Sequence, residues 1–332
     1  MFWDNTNNWQ GYPWSGNIWS NTGDKTYSIP EYISGSARQL PLSYNLAVLG
    51  VDYTTIQSWA DMVGAKALNT LMKGEVLLLP AGMEHEETAS STSGITVRAL
   101  NDSADYFPAI ISESMTNRPQ ITIINNETPA SGLIIGLTFY SYAKAFDLQI
   151  GISTTAIIDA QKLVVCCEFT NSSQGVGCLS GDITATNAVA DAGAVGFLAH
   201  SSLPMIECAI DKLKTWSVGP AYKFGFYSFN YDSILYNCAA IELDIGFIVY
   251  NHVMTRTNCL SQGHTIADTY DASAGGGSFV NTTCADSVPL SIAADGYTLL
   301  VADNKGTNLS GTFTDDINGT TWTIWDRSVN DI

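Results

Sequence analysis

The sequence predicts an all-β chain wound as a parallel β-solenoid, and two observations carry that expectation. The first is a pattern that returns three times between Ala194 and Leu260. It reads Gly196-Phe197-Leu198-Ala199-His200 then Cys208, Gly225-Phe226-Tyr227-Ser228-Phe229 then Cys238, and Gly246-Phe247-Ile248-Val249-Tyr250 then Cys259. Gly-to-Cys distances are 12, 13 and 13 residues, and Cys-to-Cys distances are 30 and 21. That spacing reads as a coil of about 21 residues with an insertion in one turn, around Asp211 to Trp216. The second observation is the make-up of the segments, which are short, rich in Phe, Tyr, Ile and Val, and broken by Gly and Asn. Helix pairs can share such periods, but this texture belongs to strands.

Strand alternation then assigns faces. Phe197 and Ala199, Phe226 and Ser228, and Phe247 and Val249 point inward. A second strand centred on each cysteine is expected to turn Ile206, Cys208 and Ile210, then Tyr236, Cys238 and Ala240, into the coil, with Glu207, Asn237 and Asn258 outward. One coil cannot bury its own inner face, so stability requires stacking of like on like.

Composition bounds the function. The 332 residues are 45 % apolar, enough for a sizeable core, and carry 32 Asp and Glu against 14 Lys and Arg, a net charge of −18. With no run of basic residues to displace counterions, nucleic acid and anionic membranes are excluded as partners; solubility is the plain reading of the acidity. Seven cysteines include no Cys-x-x-Cys, and the four His are scattered, which argues against zinc; no metal or cofactor is expected. Cys208, Cys238 and Cys259 occupy equivalent inward slots as small apolar groups, which suits folding in a reducing cytoplasm. Neither a signal peptide nor a membrane span is expected. Six Asn-x-Ser/Thr triplets, at Asn101, Asn126, Asn171, Asn281, Asn308 and Asn318, read as chance in a chain this rich in Asn, Ser and Thr.

In chain order, residues 1–45 stand apart. Trp3, Trp9, Trp14 and Trp19 lie among Asn, Gly, Ser and Pro without a period. This arm packs on the solenoid's end or on another protein, with a sugar-binding aromatic patch as the competing reading. Residues Ile56 to Met72 have helical spacing, Lys73-Gly74 ends the helix, and Glu75-Val76-Leu77-Leu78-Leu79-Pro80-Ala81-Gly82 follows as a strand. Further strands are Gly94 to Ala99, Ala109 to Ile111, Gln120 to Asn125 and Gly132 to Phe139. A helix leading into Leu-Pro-Ala-Gly, followed by these lines, resembles the start of the pectate-lyase-like right-handed parallel β-helix of phage tailspikes. The resemblance covers roughly Val51 to Cys284; where the family has Gly-Thr-Tyr, this chain has Gly82-Met83-Glu84-His85. It implies residues 46–285 as a right-handed β-helix with a short N-terminal capping helix, about ten coils at ~4.8 Å spacing, and 286–332 as a small C-terminal β cap or trimerisation element. His85 between two glutamates reads as a solvated turn, and Asp191 to Gly196 as a possible edge of a small α/β unit.

The same resemblance implies a bacteriophage virion protein made in the host cytoplasm: a homotrimeric tailspike or tail fibre docked on other virion proteins by the arm and recognising a host surface polysaccharide. The fourth position after each Gly places His200, Phe229 and Tyr250 in an outward column, which serves as a trimer contact or a stacking platform for sugar rings. Lys212, Lys214 and Trp216 in the insertion are a further specificity element. Depolymerase activity needs two carboxyl groups at about 5 to 9.5 Å, for which Glu207, Asp211, Glu242 and Asp244 are candidates alongside Asp232. A purely structural capsid-decoration role is the other alternative. No Gly-x-Ser-x-Gly or His-Glu-x-x-His element supports an esterase or zinc hydrolase, and a calcium-dependent lyase would have only Arg256 nearby.

Overall fold

The computed structural model describes residues 38 to 262, except 67–72, 99–102, 129–131, 159–161, 189–191, 212–221, 230 and 251, together with His264 and short strands near both termini. It is an all-β parallel solenoid. The chain visits three faces in turn: face 1 holds Gly74–Leu79, face 2 Glu84–Thr88 and face 3 Ile95–Val97, after which Pro108–Ser112 returns to face 1. Faces 2 and 3 are each eight strands deep, and face 1 carries twelve with its terminal additions. Eight strands give a stack of about 34 Å at ~4.8 Å per step, shorter than the ten coils expected. The segment Gly151 to Gly193 is solenoid strand too, which removes the α/β reading.

The inward assignments on face 3 hold. Phe197, Ala199, Phe226, Ser228, Phe247 and Val249 are all buried, and the aromatic column extends two coils earlier, to Phe139 and Phe169. Successive ring centroids lie 5.2, 6.2, 5.6 and 5.4 Å apart from Phe139 to Phe247, within the range where ring pairs attract beyond their buried area. The Gly before each Phe has a packing reason: a Cβ on Gly196 would sit 2.5 Å from Ile210 Cγ1 across the core, and one on Gly225 would sit 3.0 Å from Leu243 Cδ1. Cys166 takes the same place one coil earlier, where Ser180 Oγ donates to its Sγ at 3.2 Å.

Between faces 1 and 2 the expectation needs correction. Glu207, Asn237 and Asn258 have φ of 55°, 53° and 54°, and Asp147 and Gly177 at the equivalent corner have 58° and 66°. This left-handed residue breaks the single cysteine-centred strand into two, Met205–Ile206 and Ala209–Asp211 in one coil, for example. Parity inverts across the corner, so Met205 and Leu235 fill the core, while Ile206 is only half-buried and Tyr236 is 37 % exposed. The corner column also corrects the period. Cys178 to Cys208 and Cys208 to Cys238 are both 30 residues and Cys238 to Cys259 is 21. The long coil is therefore the rule, and the last one is shortened rather than an earlier one extended.

Stacked thiols line this corner. Cys178, Cys208, Cys238 and Cys259 are buried and free, as are Cys166 and Cys167, and neighbouring thiols hydrogen-bond along the column. Cys178, Cys238 and Cys259 also donate to the carbonyls of Ala145, Met205 and Leu235 at 3.5 to 3.6 Å.

The expected helix runs Ile56–Lys66; its continuation to Met72 lies outside the described residues. Ile56, Trp59, Ala60 and Val63 are buried against the first coil, each large side chain contributing about 2 kcal/mol, and the helix covers the open end of the stack. Its first turn has no acidic residue; a carboxylate arrives from face 2 instead. Glu87 accepts hydrogen bonds from Ile56 N at 2.7 Å and Gln57 N at 2.8 Å, satisfying orphan amides at the positive end of the helix. His85 Nε2 lies 2.9 Å from the same carboxylate, so His85 belongs to a strand and a buried polar group, not a solvated turn. At the other end, Thr321–Asp326 pairs parallel with Thr298–Val301 and antiparallel with Gly311–Thr314. That reversal ends the parallel ladder with the small β element expected there.

Two outcomes test this packing. Burial raises the thiols of Cys166 (to about 12), Cys167, Cys178, Cys208 and Cys238, whereas Cys259 is pulled down by its hydrogen bond to Cys238. A raised thiol stabilises fully below its unfolded value near 9 and loses that contribution as pH climbs, because only the unfolded chain has released the proton. Urea unfolding between pH 8 and 11 will show stability falling with pH, and Cys208→Ala will reduce the slope by about 1.4 kcal/mol per pH unit. Separately, Glu87→Ala will cost about 2 to 4 kcal/mol, with amide exchange of Ile56 and Gln57 accelerating before that of the face 3 strands.

Candidate functional site

The corner column builds the most elaborate polar site. Asp147 Oδ2 accepts from Arg38 Nε at 2.9 Å and Asp147 Oδ1 from Arg38 Nη2 at 2.8 Å, while Arg38 Nη1 reaches Glu207 Oε2 at 2.7 Å. Arg118 adds a second cation, donating to Gly177 O at 3.0 Å with its Nη2 3.9 Å from Asp147 Oδ1. One guanidinium thus spans two coils, and Gly177 between them explains how. A Cβ there would collide with Asp147 Oδ1 and Arg38 Nη2, so only glycine leaves the slot open while also tolerating φ of 66°. Burial pushes the Asp147 carboxyl up against the pull of the guanidinium, and the two acidic partners hold Arg38 charged. Glu207, a catalytic candidate from sequence, is therefore occupied in a clasp that fixes the chain just before the first strand of the solenoid.

The other carboxylate candidates are dispersed. Asp244 Oδ2 accepts from Lys223 N at 2.8 Å, and Asp244 N donates to Lys223 O at 2.9 Å, so this side chain staples successive coils. Glu242 is exposed at a left-handed corner with φ of 52°. Asp211 ends a face 2 strand, and its side chain lies outside the described residues. Asp232 Oδ1 meets His252 Nδ1 at 3.2 Å and Val253 N at 3.0 Å. Arg256 is fully buried in the core with its guanidinium 5.5 Å from the Phe247 ring, which removes it as a surface base.

On the outer side of face 3, the column expected to expose rings is only partly open. His200 is 3 % exposed. Its Nδ1 lies 3.1 Å from Glu168 Oε1, and its Nε2 accepts from Phe229 N at 3.4 Å, a pattern that assigns the Nδ1–H tautomer and leaves neither nitrogen for a substrate. The rings of Phe229 and Tyr231 close over it at 4.6 and 5.2 Å. This corrects the reading of His200 as a surface contact. Phe229 is half-buried; Tyr250 pairs with it in register, but its side chain, like all of Trp216, Lys212 and Lys214, falls outside the described residues.

Exposed rings do lie beside that column. Tyr222 and Tyr231 are 45 % and 46 % exposed, and Tyr222 stacks on Phe224 with centroids 6.0 Å apart and ring planes 5° from parallel. Phe224 meets Tyr227 at 6.1 Å, and Tyr227 meets Phe229 at 5.9 Å. Below them Ile135, Val165, Val195 and Leu198 form a separate buried cluster, so face 3 is apolar on both sides.

In the arm, Trp3 pairs with Trp9 in an antiparallel ladder, and Trp19 pairs with Tyr27 in another; Trp14 lies outside the described residues. Among the described residues no three His, Cys, Asp or Glu side chains form a metal-binding group, and no helix is long and apolar enough to cross a membrane.

Fold and site together define a capped parallel β-solenoid with a clasped N-terminal segment and an aromatic outer flank. No family model, curated protein or solved structure matches the chain.

Removing one partner from a buried ion pair leaves the other charge uncompensated. Arg38→Gln will lower the unfolding free energy by about 3 kcal/mol in urea titration, Gly177→Ala will cost at least about 2 kcal/mol, and the half-exposed Glu207→Gln will cost less than about 1 kcal/mol.

Proposed function

We propose that the protein is a phage virion spike that recognises a host surface glycan. The observation that carries this reading is the continuous run of rings along the outer flank of face 3, from Tyr222 through Phe224 and Tyr227 to Phe229 and Tyr231. Aromatic faces on a rigid scaffold suit the apolar faces of sugar rings, and stacked coils repeat them at ~4.8 Å. The tryptophan-bearing arm, Trp3, Trp9, Trp14 and Trp19, is the proposed docking element toward other virion proteins, and the Arg38 clasp gives that arm a fixed root. In the assembled particle the spike is a homotrimer, with the apolar outer side of each solenoid turned toward its neighbours.

Recognition without cleavage is the favoured form, because Glu207 and Asp244 are engaged in structural contacts. The test is incubation with surface polysaccharide extracted from the host, followed by size-exclusion chromatography. Wild-type protein will retain the polymer at unchanged length, and Tyr222→Ala with Tyr231→Ala will weaken retention by about tenfold or more, the loss of about 1.4 kcal/mol expected for two stacking rings. Shortened polymer would make the spike a depolymerase; absence of retention would reject glycan recognition and leave a structural virion role.

A further inference from the structure

The capping helix does more than close the stack. A cleft of about 400 Å³ opens between its outer side, at Gln57, Ala60, Asp61 and Gly64, and the first coil, at Ser90, Ser91, Gly94, Thr96 and Arg98. That volume suits one or two sugar units. Its walls are polar on both sides: one carboxylate, one guanidinium, one amide and three hydroxyls, with Ala60 as the sole apolar side chain. Gln57 Nε2 donates to Asp61 Oδ1 at 2.7 Å, which orients the carboxylate and leaves Oδ2 to accept from a ligand. Arg98 is exposed, with its guanidinium carbon 5.9 Å from the Tyr140 ring centroid, and it forms no ion pair with a described residue. Stacking holds the guanidinium plane while its edge keeps the paired N–H geometry that matches a carboxylate.

Gly64 supplies an independent observation. Glycine inside a helix costs about 1 kcal/mol relative to alanine, and close packing does not require it here, because an added Cβ would meet nothing within 4 Å. What the missing side chain does is keep the cleft open.

We propose that this cleft binds a carboxylated sugar unit, a hexuronate, with Arg98 pairing its carboxylate and Asp61, Gln57, Ser90 and Thr96 bonding its hydroxyls. An apolar ligand finds no lining, and a nucleic acid finds only one cation. The choice of a saccharide rests on the glycan reading above, whereas the site itself stands on the cleft.

The experiment is an NMR titration of the full chain with methyl glucuronide and methyl glucoside, on wild type, Arg98→Gln and Gly64→Leu. Wild type is expected to bind the glucuronide at least tenfold more tightly than the glucoside. Arg98→Gln will erase that preference, and Gly64→Leu will abolish binding of both sugars without lowering the thermal midpoint. Absence of glucuronide binding, equal affinity for the two sugars, or full binding by Gly64→Leu overturns the proposal. Polymer retention by the same variants separates the two readings. If methyl glucuronide does not bind and Gly64→Leu still retains host polymer, the cleft fails and glycan recognition survives. If the glucuronide binds and wild type retains no host polymer, the cleft stands and the spike reading fails.

Discussion

Everything in this molecule depends on the in-register stacking of one coil on the next. Each backbone ladder fixes which residue lies above which, so a chemical type repeated at one position becomes a column. Phenylalanine at the first core position of face 3 gives a five-ring stack from Phe139 to Phe247. Cysteine after the corner gives four neighbouring thiols. A slip of one residue would send each of these side chains to the opposite face, so the columns and the register enforce each other.

The stack's weak points are its ends and its corners, and buried electrostatics secures both. At the N-terminal end Glu87 binds the helix amides and His85 supports the carboxylate; the cap is thereby tied to face 2 through charge as well as to the core through Trp59. At the corner Arg38 joins Asp147 to Glu207 through the opening left by Gly177. Both devices join segments far apart in sequence, which makes them expensive to form early in folding and hard to lose locally once formed. They also consume carboxylates, and this narrows the surface available for catalysis while leaving the aromatic flank and the helix cleft accessible.

Much of this architecture was legible because face 3 repeats its chemistry. The Gly-Phe pairs at 196, 225 and 246 disclosed the coil, and strand alternation after them assigned the inner face. Two earlier members of the same column were hidden: Cys166 stands where a glycine would have extended the pattern, and Phe139 follows Gly136 by three residues rather than one. The corner could not be read, because Asp147, Gly177, Glu207, Asn237 and Asn258 share a backbone conformation and no side-chain type. Missing it cost the parity of Ile206 and Tyr236. The 30-residue spacing of Cys178, Cys208 and Cys238 was the available signal for the true period. His200 was placed on the correct side of its strand, but its burial under Phe229 and Tyr231 depends on a tertiary arrangement that spacing cannot reveal. Arg38 and Glu87 act over 109 and 31 residues, beyond the reach of any local pattern.

The corner register is the point at which this account is most exposed to measurement. Asn237 and Asn258 are exposed, left-handed, and one coil apart, so cysteines placed at both should react with a thiol cross-linker spanning about 5 Å, while the six buried native thiols stay unmodified. Rapid cross-linking of Asn237→Cys/Asn258→Cys under native conditions, lost in urea, is the result that in-register stacking predicts. If the pair does not cross-link in the folded protein although each cysteine is labelled singly, the two corners are not neighbours and the stacked-coil account is wrong.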